Sequence, residues 1–301
     1  MQKKFRKVFC GFRYVMRYSG VNILLSSFPK IYSRHGSLRF CSIIFTCLML
    51  NLLLSQVLHA QIEENIKQEQ DTELVWSAKN YGQGEQIYYS SFKKNKWTTP
   101  VQLSHSTDLV FQPASSSGTD GKVWVVWSRQ DNSGSFMQFS VYSASKWTPP
   151  RQINTGMDNN KAVTVVVDRD DTPWIAWTAI DDMYPDIFWS RWNGQEWDLP
   201  LKAHKENKVP DIQPALTLDE SGHVNLSWQT YLDGKYMVVS QIWTGKQWQT
   251  VQNESGKNIR KKLMQENKKT LSIPDFVEDP RKATFFIKGN DGAGSIPLSL
   301  L

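Results

Sequence analysis

Ser190-Arg-Trp-Asn-Gly-Gln-Glu-Trp197 (SRWNGQEW), continued by Asp198-Leu-Pro200, decides the reading of this sequence, because pieces of it recur at a fixed step on both sides. Ser90, Ser140, Ser190 and Ser240 are spaced by 50 residues each time. Trp97, Trp147, Trp197 and Trp248 recur at 50, 50 and 51, and Trp76, Trp127, Trp177 and Trp228 at 51, 50 and 51. Pro100, Pro150 and Pro200 keep the step before Thr250 breaks it. Three residue types in phase across four copies define a tandem unit of about 50 residues between 72 and 252.

Each unit reads as four short strands. In the third copy these are Ala162–Val167, Pro173–Trp177, Asp186–Trp192 and Glu196–Leu201, rich in β-branched and aromatic residues. Asp, Asn, Gly and Pro turns separate them, such as 168–172 and 192–194. The fourth copy repeats the order, with Pro214–Leu218, His223–Trp228, Tyr236–Ser240 and then Trp248. In Val123-Trp-Val-Val-Trp127, Trp124 and Val126 point to one face and Val123, Val125 and Trp127 to the other, and both faces are apolar. A sheet buried on both sides must be stacked between neighbours. Four strands per 50 residues with two buried faces is the arithmetic of a β-propeller blade, so the expected fold is an all-β propeller of four blades, at about 72–112, 113–161, 162–212 and 213–252.

The first unit lacks an apolar strand before Glu73, because Gln61–Asp71 is too polar, whereas Ala283–Ile287 near the other end looks like a missing inner strand. Residues 281–301 are therefore either a closing strand for the first blade or the start of a truncated fifth one. Between them, 253–280 carries Lys257-Asn-Ile-Arg-Lys-Lys262 and Lys268-Lys269 and reads as a basic, solvated linker, with Ile259, Leu263 and Met264 as one short helical stripe.

The quoted turn resembles the Asp-box hairpin of sialidase-like propellers, the bacterial neuraminidase repeat with the pattern Ser-x-Asp-x-Gly-x-Thr-Trp. Ser190, Gly194 and Trp197 match, while Trp192 stands in place of the Asp and Glu196 in place of the Thr. The other copies keep the Ser-to-Trp spacing, with one extra residue between Ser240 and Trp248. The resemblance implies that this hairpin lies on the blade periphery and ties strands together. The two recurring tryptophan series are then structural plugs. Sialidases gather three arginines, a Tyr–Glu nucleophile and an Asp at the propeller centre. Arg129, Arg151, Arg169 and Arg191, with Tyr81, Tyr184 and Tyr231, are the residues available here, and Arg129 and Arg169 are the arginines expected to reach one face. No family motif maps onto any of them, so no catalytic residue is assigned.

Charge and leader sequence set the compartment. Residues 1–60 hold nine basic residues and no acidic one, so the chain's net +6 leaves 61–301 at −3. A body of that sign is a poor binder of phosphate backbones, and nucleic acid is not an expected partner. The apolar run Ile43–Leu54, ending near Leu58-His59-Ala60, has the length of a signal-peptide core, with cleavage after Ala60. Retention of 41–60 as a membrane anchor and an organellar transit peptide are the alternatives; a start at Met16 would shorten the leader. Cys10, Cys41 and Cys47 all lie in the leader, so the body has neither disulfides nor a cysteine metal site, which suits an exported domain.

Among sites, Asp168-Arg-Asp-Asp171 and Asp181-Asp182 offer oxygens for calcium without the spacing of an EF-hand. Asp170, Asp171, Asp181, Asp182, Asp186 and Asp211 offer carboxylates for glycoside hydrolysis, but four sit in turn-like clusters. His105, His204 and His223 are scattered singly and read as surface or turn histidines, so no metal and no cofactor are expected. Trp189, Trp192 and Trp243 fall outside both tryptophan series and, with Arg129 and Arg169, are the candidate ligand contacts. The expected function is an exported, non-catalytic module for a glycan or protein partner; a divergent sialidase and an envelope scaffold are the alternatives.

Overall fold

The computed structural model describes residues 15–18, 21–24, 72–80, 82, 84–181, 183–205, 207–251, 261, 262, 265, 273–289 and 292–298. They belong to two units, 1–67 and 68–301. What is described of the first unit is a hairpin of β1 (Val15–Tyr18) and β2 (Val21–Leu24). The apolar segment 41–60 lies outside the described residues. Among the described residues, no helix is long and apolar enough to cross a membrane.

In the second unit the tandem copies become antiparallel meanders. The first contains β3 (Thr72–Asn80), β4 (Gly84–Lys93), β5 (Lys96–Trp97) and β6 (Val101–Gln102). The second contains β7 (Leu109–Ser117), β8 (Val123–Asp131), β9 (Gly134–Ser143), β10 (Lys146–Trp147) and β11 (Arg151–Ile153). The third contains β12 (Lys161–Val167), β13 (Pro173–Asp181), β14 (Tyr184–Arg191) and β15 (Leu201–Lys202). The fourth contains β16 (Asp211–Asp219), β17 (Val224–Leu232), β18 (Lys235–Trp243) and β19 (Trp248–Thr250). After a 3-10 turn at Pro280–Lys282 come β20 (Ala283–Gly289) and β21 (Gly292–Pro297).

The second and third copies each form a sheet of their own. The first and fourth share one, because β20 pairs with β3, β21 pairs with β20, and β21 also pairs with β16, with Phe285 opposite Leu74 and Ala293 opposite Leu218. The late strand therefore supplies the first sheet with the partner that the polar stretch before Glu73 cannot. Side by side run β7 and β12, then β12 and β16, while β20 lies beside β7, so the first strands of the sheets adjoin one another in turn.

The first strands of the last three copies, β7, β12 and β16, share a register break, between Phe111 and Ala114, Lys161 and Thr164, and Ile212 and Ala215. The extra residue sits at positive φ in each, Gln112 at 52, Ala162 at 54 and Gln213 at 54 degrees. Such a bulge bends and twists the strand. The outer strand is shorter than its apolar content suggests. Where 196–201 is expected as a strand, only Leu201–Lys202 and an isolated Trp192–Trp197 bridge pair, since Pro200 has no N–H to give to a ladder.

Burial follows the alternation read from the sequence. Trp124 and Val126 pack with Val165, Ile175 and Trp177 of the third sheet. Val123, Val125 and Trp127 pack with Val75 and Ile87 of the first. The other face of the third sheet, with Trp174 and Ala176, meets Leu216, Leu226 and Trp228 of the fourth. Trp127 and Trp177 are fully buried. Each is expected to stabilise the fold by several kcal/mol, the usual cost of truncating such a ring being about 3–5 kcal/mol.

The outward face of the first sheet, with Leu74, Trp76 and Phe285, is covered differently. Phe276 stacks on Trp76 at 5.2 Å, and Val277 is buried beside it. This corrects the expectation of a solvated linker through 280: Phe276 and Val277, near its end, cover the apolar face of the first sheet. Ile259, Leu263 and Met264 lie outside the described residues.

Candidate functional site

The repeated serine has one job. Ser90, Ser140 and Ser190 each donate their hydroxyl to the carbonyl eight residues on, Thr98, Thr148 and Asp198, at 2.7 Å in all three cases. This pins the outer hairpin against the third strand. Ser240, where the hairpin is one residue longer, is buried and its hydroxyl makes no hydrogen bond. In SRWNGQEW itself the Asn193 carboxamide accepts from the Gln195 and Glu196 N–H groups, both at 3.0 Å, and Gly194 takes φ +104. That turn is architecture.

What the hairpin presents is less uniform. It brings Trp192 and Trp197 against Trp124 and Phe139 of the second sheet, with ring centroids 5.1 to 5.8 Å apart. The same box recurs one junction on, where Trp243 and Trp248 meet Trp174 and Trp189 at 5.2 to 6.0 Å. Spacings near 50 residues explain why. Trp124 and Trp174 are equivalent positions, and so are Phe139 and Trp189. The equivalent of Trp124 is Glu73 in the first copy and Asn225 in the fourth, so only these two junctions carry a complete box.

At the first of the two boxes lies an open cavity of about 630 Å³. Trp124 and Phe139 form its apolar floor and Trp192 is half-buried at its side. The Arg151 guanidinium stands 5.1 Å from the Phe139 ring centre and 5.6 Å from that of Trp192, bridging the two sheets as a cation over aromatic faces. Arg191, paired to Asp198 at 3.5 Å, and Lys122, paired to Asp120 at 2.5 Å, complete a basic rim. Asp171 closes the far side, accepting from the Thr119 N–H at 2.6 Å, the Thr119 hydroxyl at 2.8 Å and the Asp120 N–H at 3.3 Å. Burial works against its charge, but the Thr119 and Asp120 hydrogen bonds and the Lys122 charge outweigh it and hold the carboxyl below its ordinary range. Asp171 thus ties the turns of two sheets together. Gly118 makes the approach possible, since a Cβ there would lie 2.6 Å from the Asp171 oxygen.

The five residues singled out from sequence do not form one site, although Trp189 and Trp243 meet at 5.3 Å. Trp192 lines the cavity, Trp243 occupies the equivalent place one junction on, and Trp189 is only 7 % exposed, wedged under Trp174. Arg129 is held by Asp108 at 2.7 Å and Asp131 at 3.1 Å near the end of β8. Arg169, in the turn that opens β13, lies across Gly222 and donates to the Glu220 carbonyl at 3.3 Å. The two arginines expected to share a face sit at opposite ends of their sheets, because antiparallel strands turn at alternate ends. Arg151 and Arg191, the two not expected to reach one face, are the ones that line one cavity. Periodicity gave no sign of this, since Val141 and Leu201 stand at the equivalent positions in the neighbouring copies.

The acidic turn at 168–171 is self-satisfied. Asp168 accepts from the Asp170 and Thr172 N–H groups and from the Trp174 indole at 2.7 Å, so its oxygens serve the turn rather than a calcium ion. Asp182 and the side chain of Asp181 lie outside the described residues. His204 departs from expectation, because its side chain is only 10 % exposed and sits between Asp186 and Asp211, both buried. A separate cavity of about 470 Å³ lies where the bulges of β7, β12 and β16 meet, lined by Gln112, Gln213 and Gln229 with Glu85, Arg281 and Lys282.

No protein family matches the sequence, and no curated protein matches it. Among solved structures, the chain is similar to a protein of unknown function from Dyadobacter fermentans, at 11 % identity over 56 % of this chain and 58 % of that one, with a TM-score of 0.44. It is similar to a fucose lectin from Kordia zhangzhouensis in complex with methyl-fucoside, at 16 % identity over 47 % of this chain and 98 % of the lectin, with a TM-score of 0.32. An endo-arabinase from Bacteroides thetaiotaomicron aligns at 12 % identity over 74 % of this chain and 88 % of the enzyme, with a TM-score of 0.36. The chain spans less than two thirds of the Dyadobacter protein. Likenesses at these scores carry no argument about its ligand.

Proposed function

We propose that this chain is an exported, non-catalytic carbohydrate-binding protein built as a four-bladed β-propeller, with the sugar seated over Trp192 and Arg151 between the second and third blades. Support for the propeller comes from sheets stacked face to face, first strands adjoining in turn, and a late strand completing the first sheet. One observation carries the binding site: Arg151 bridges Phe139 and Trp192 beside an open cavity, so a ring's apolar face and its hydroxyls both find partners. Export rests on the basic leader and apolar run ahead of Ala60. Glycan-array hits should bind the wild type and lose about tenfold in affinity, or about 1.4 kcal/mol, in Trp192→Ala and in Arg151→Ala. Hits indifferent to both substitutions would remove the reading.

The sialidase alternative asks for an arginine triad and a tyrosine at the centre. Among the described residues, which do not include Tyr81, Arg281 is the single arginine lining the central cavity, and no tyrosine lines it. A fluorogenic sialoside should go uncleaved. The scaffold reading is favoured by one feature, the exposed Tyr231, Leu232, Tyr236 and Met237 at the β17–β18 hairpin. Tyr236→Glu should leave sugar binding intact and abolish any protein complex made there, which a pull-down with each variant measures.

A further inference from the structure

Asp186, at the start of β14, His204, in the loop after β15, and Asp211, at the start of β16, meet at the third junction. The His204 Nδ1 lies 2.8 Å from the Lys205 carbonyl oxygen, which can only accept, so Nδ1 carries a proton and, when the ring is neutral, Nε2 turns its lone pair inward. That lone pair faces Asp211 Oδ2 at 3.4 Å and Asp186 Oδ1 at 3.6 Å. Neither distance is a hydrogen bond. Asp186 Oδ1 and His204 Nε2 are buried without any hydrogen-bond partner, and the side chains of Asp186 and Asp211 are 4 % and 1 % exposed. Among the described residues, the three side chains each offer one ligand atom within 4.8 Å of the others.

We propose that these three side chains form a binding site for a divalent transition-metal ion of the zinc class. Ligands at about 2.0–2.1 Å from a tetrahedral ion stand roughly 3.3–3.5 Å from one another, close to the 3.4 and 3.6 Å between His204 and the two carboxylates, and all three donor atoms lie within 4.8 Å of one another. The remaining contacts are those of a supported site. Trp228 Nε1 donates to Asp211 Oδ1 at 2.7 Å, Asn207 donates to Asp211 Oδ2 at 2.8 Å, and Lys202 Nζ donates to Asp186 Oδ2 at 3.0 Å. His204 also stacks on Trp228, with centroids 5.4 Å apart, which fixes its ring. Two carboxylates outweigh the one Lys202 charge, leaving the site short of positive charge.

The repeat supplies its own control. At the equivalent positions the first copy has Gln86 and Ser104, satisfied by each other at 2.9 Å, beside Val110. The second has Phe136, Asn154 and Asn160. The fold therefore does not require a charged triad at a junction, and the third junction has acquired one.

Titration of the purified full chain, stripped with a chelator, tests the site with Zn(II) and Co(II). The expected result is one equivalent of Zn(II) bound, a rise in unfolding temperature, and the intense visible bands of tetrahedral Co(II). His204→Gln and Asp186→Asn should abolish stoichiometric binding, whereas His105→Gln and His223→Gln should retain it. Absence of the tetrahedral cobalt spectrum in the wild type, a measurement independent of any variant's folding, overturns the proposal. So does zinc binding that survives His204→Gln, which would place the ion elsewhere, or nuclear magnetic resonance showing His204 as an imidazolium unchanged by zinc.

Discussion

The two inter-sheet junctions that carry aromatic boxes are built from the same four positions, yet they differ in what lies over the rings. At one, Arg151 spans Phe139 and Trp192 beside an open cavity. At the next, Leu201, 55 % exposed, stands at the position equivalent to Arg151, and the rings are Trp174, Trp189, Trp243 and Trp248. The box is what stacked sheets need to fill their rim. A cation stands over a ring at both, Arg191 lying 5.6 Å from the Trp174 ring centre within the third sheet, but Arg151 spans rings of two sheets beside an open cavity, and that is the difference between the two junctions.

The largest effect expected from breaking this comparison is at the floor of the junction. Trp177→Ala, in the core shared by the second and third sheets, should destabilise the fold by about 3–5 kcal/mol in denaturant unfolding. Trp192→Ala at the rim should cost roughly 1 kcal/mol or less, and equal losses would erase the distinction. Next, Arg151→Ala should weaken glycan binding about tenfold while stability moves by less than about 0.5 kcal/mol. Leu201→Ala should change neither, as calorimetry on both variants would show. Smaller again is the serine. Ser190→Ala, which breaks the bond to the Asp198 carbonyl, should cost about 1 kcal/mol, and Ser240→Ala, whose hydroxyl bonds to nothing, close to zero.

The smallest effect concerns pH. Asp171 titrates below its ordinary value of 3.8 in the folded chain, so the tie it makes to Thr119 stabilises the fold above that value and is lost as pH falls through the depressed folded value. Acid unfolding of Asp171→Asn should therefore be less steep in that window, while the variant is slightly less stable at neutral pH. An unchanged acid limb would mean that the tie contributes nothing.

How much was legible differs by residue. Trp127 and Trp177 could be placed in the core from spacing alone, because a small sheet with two apolar faces has to hide both. The role of Ser190 was half legible, since its period was plain but its carbonyl partner was not. Arg129 and Arg169 were misjudged as neighbours because linear order does not say at which end of a sheet a turn falls. Arg151 and Trp192 lie 41 residues apart, in different copies, and meet only because one sheet lies on the next. His204 looked solitary for the same reason, its carboxylate partners being 18 residues before it and 7 after.

By itself, the sequence determined a tandem β-module, its period, the face each core residue takes and the acidic character of the body, since these follow from alternation, turn chemistry and charge, all of them local. Only the tertiary structure decided which module touches which, that Ala283–Gly289 pairs beside Thr72–Asn80, and which polar groups are brought together at a junction. Those outcomes depend on the angle and offset at which twisted sheets stack, a property of whole surfaces that no single stretch of chain encodes.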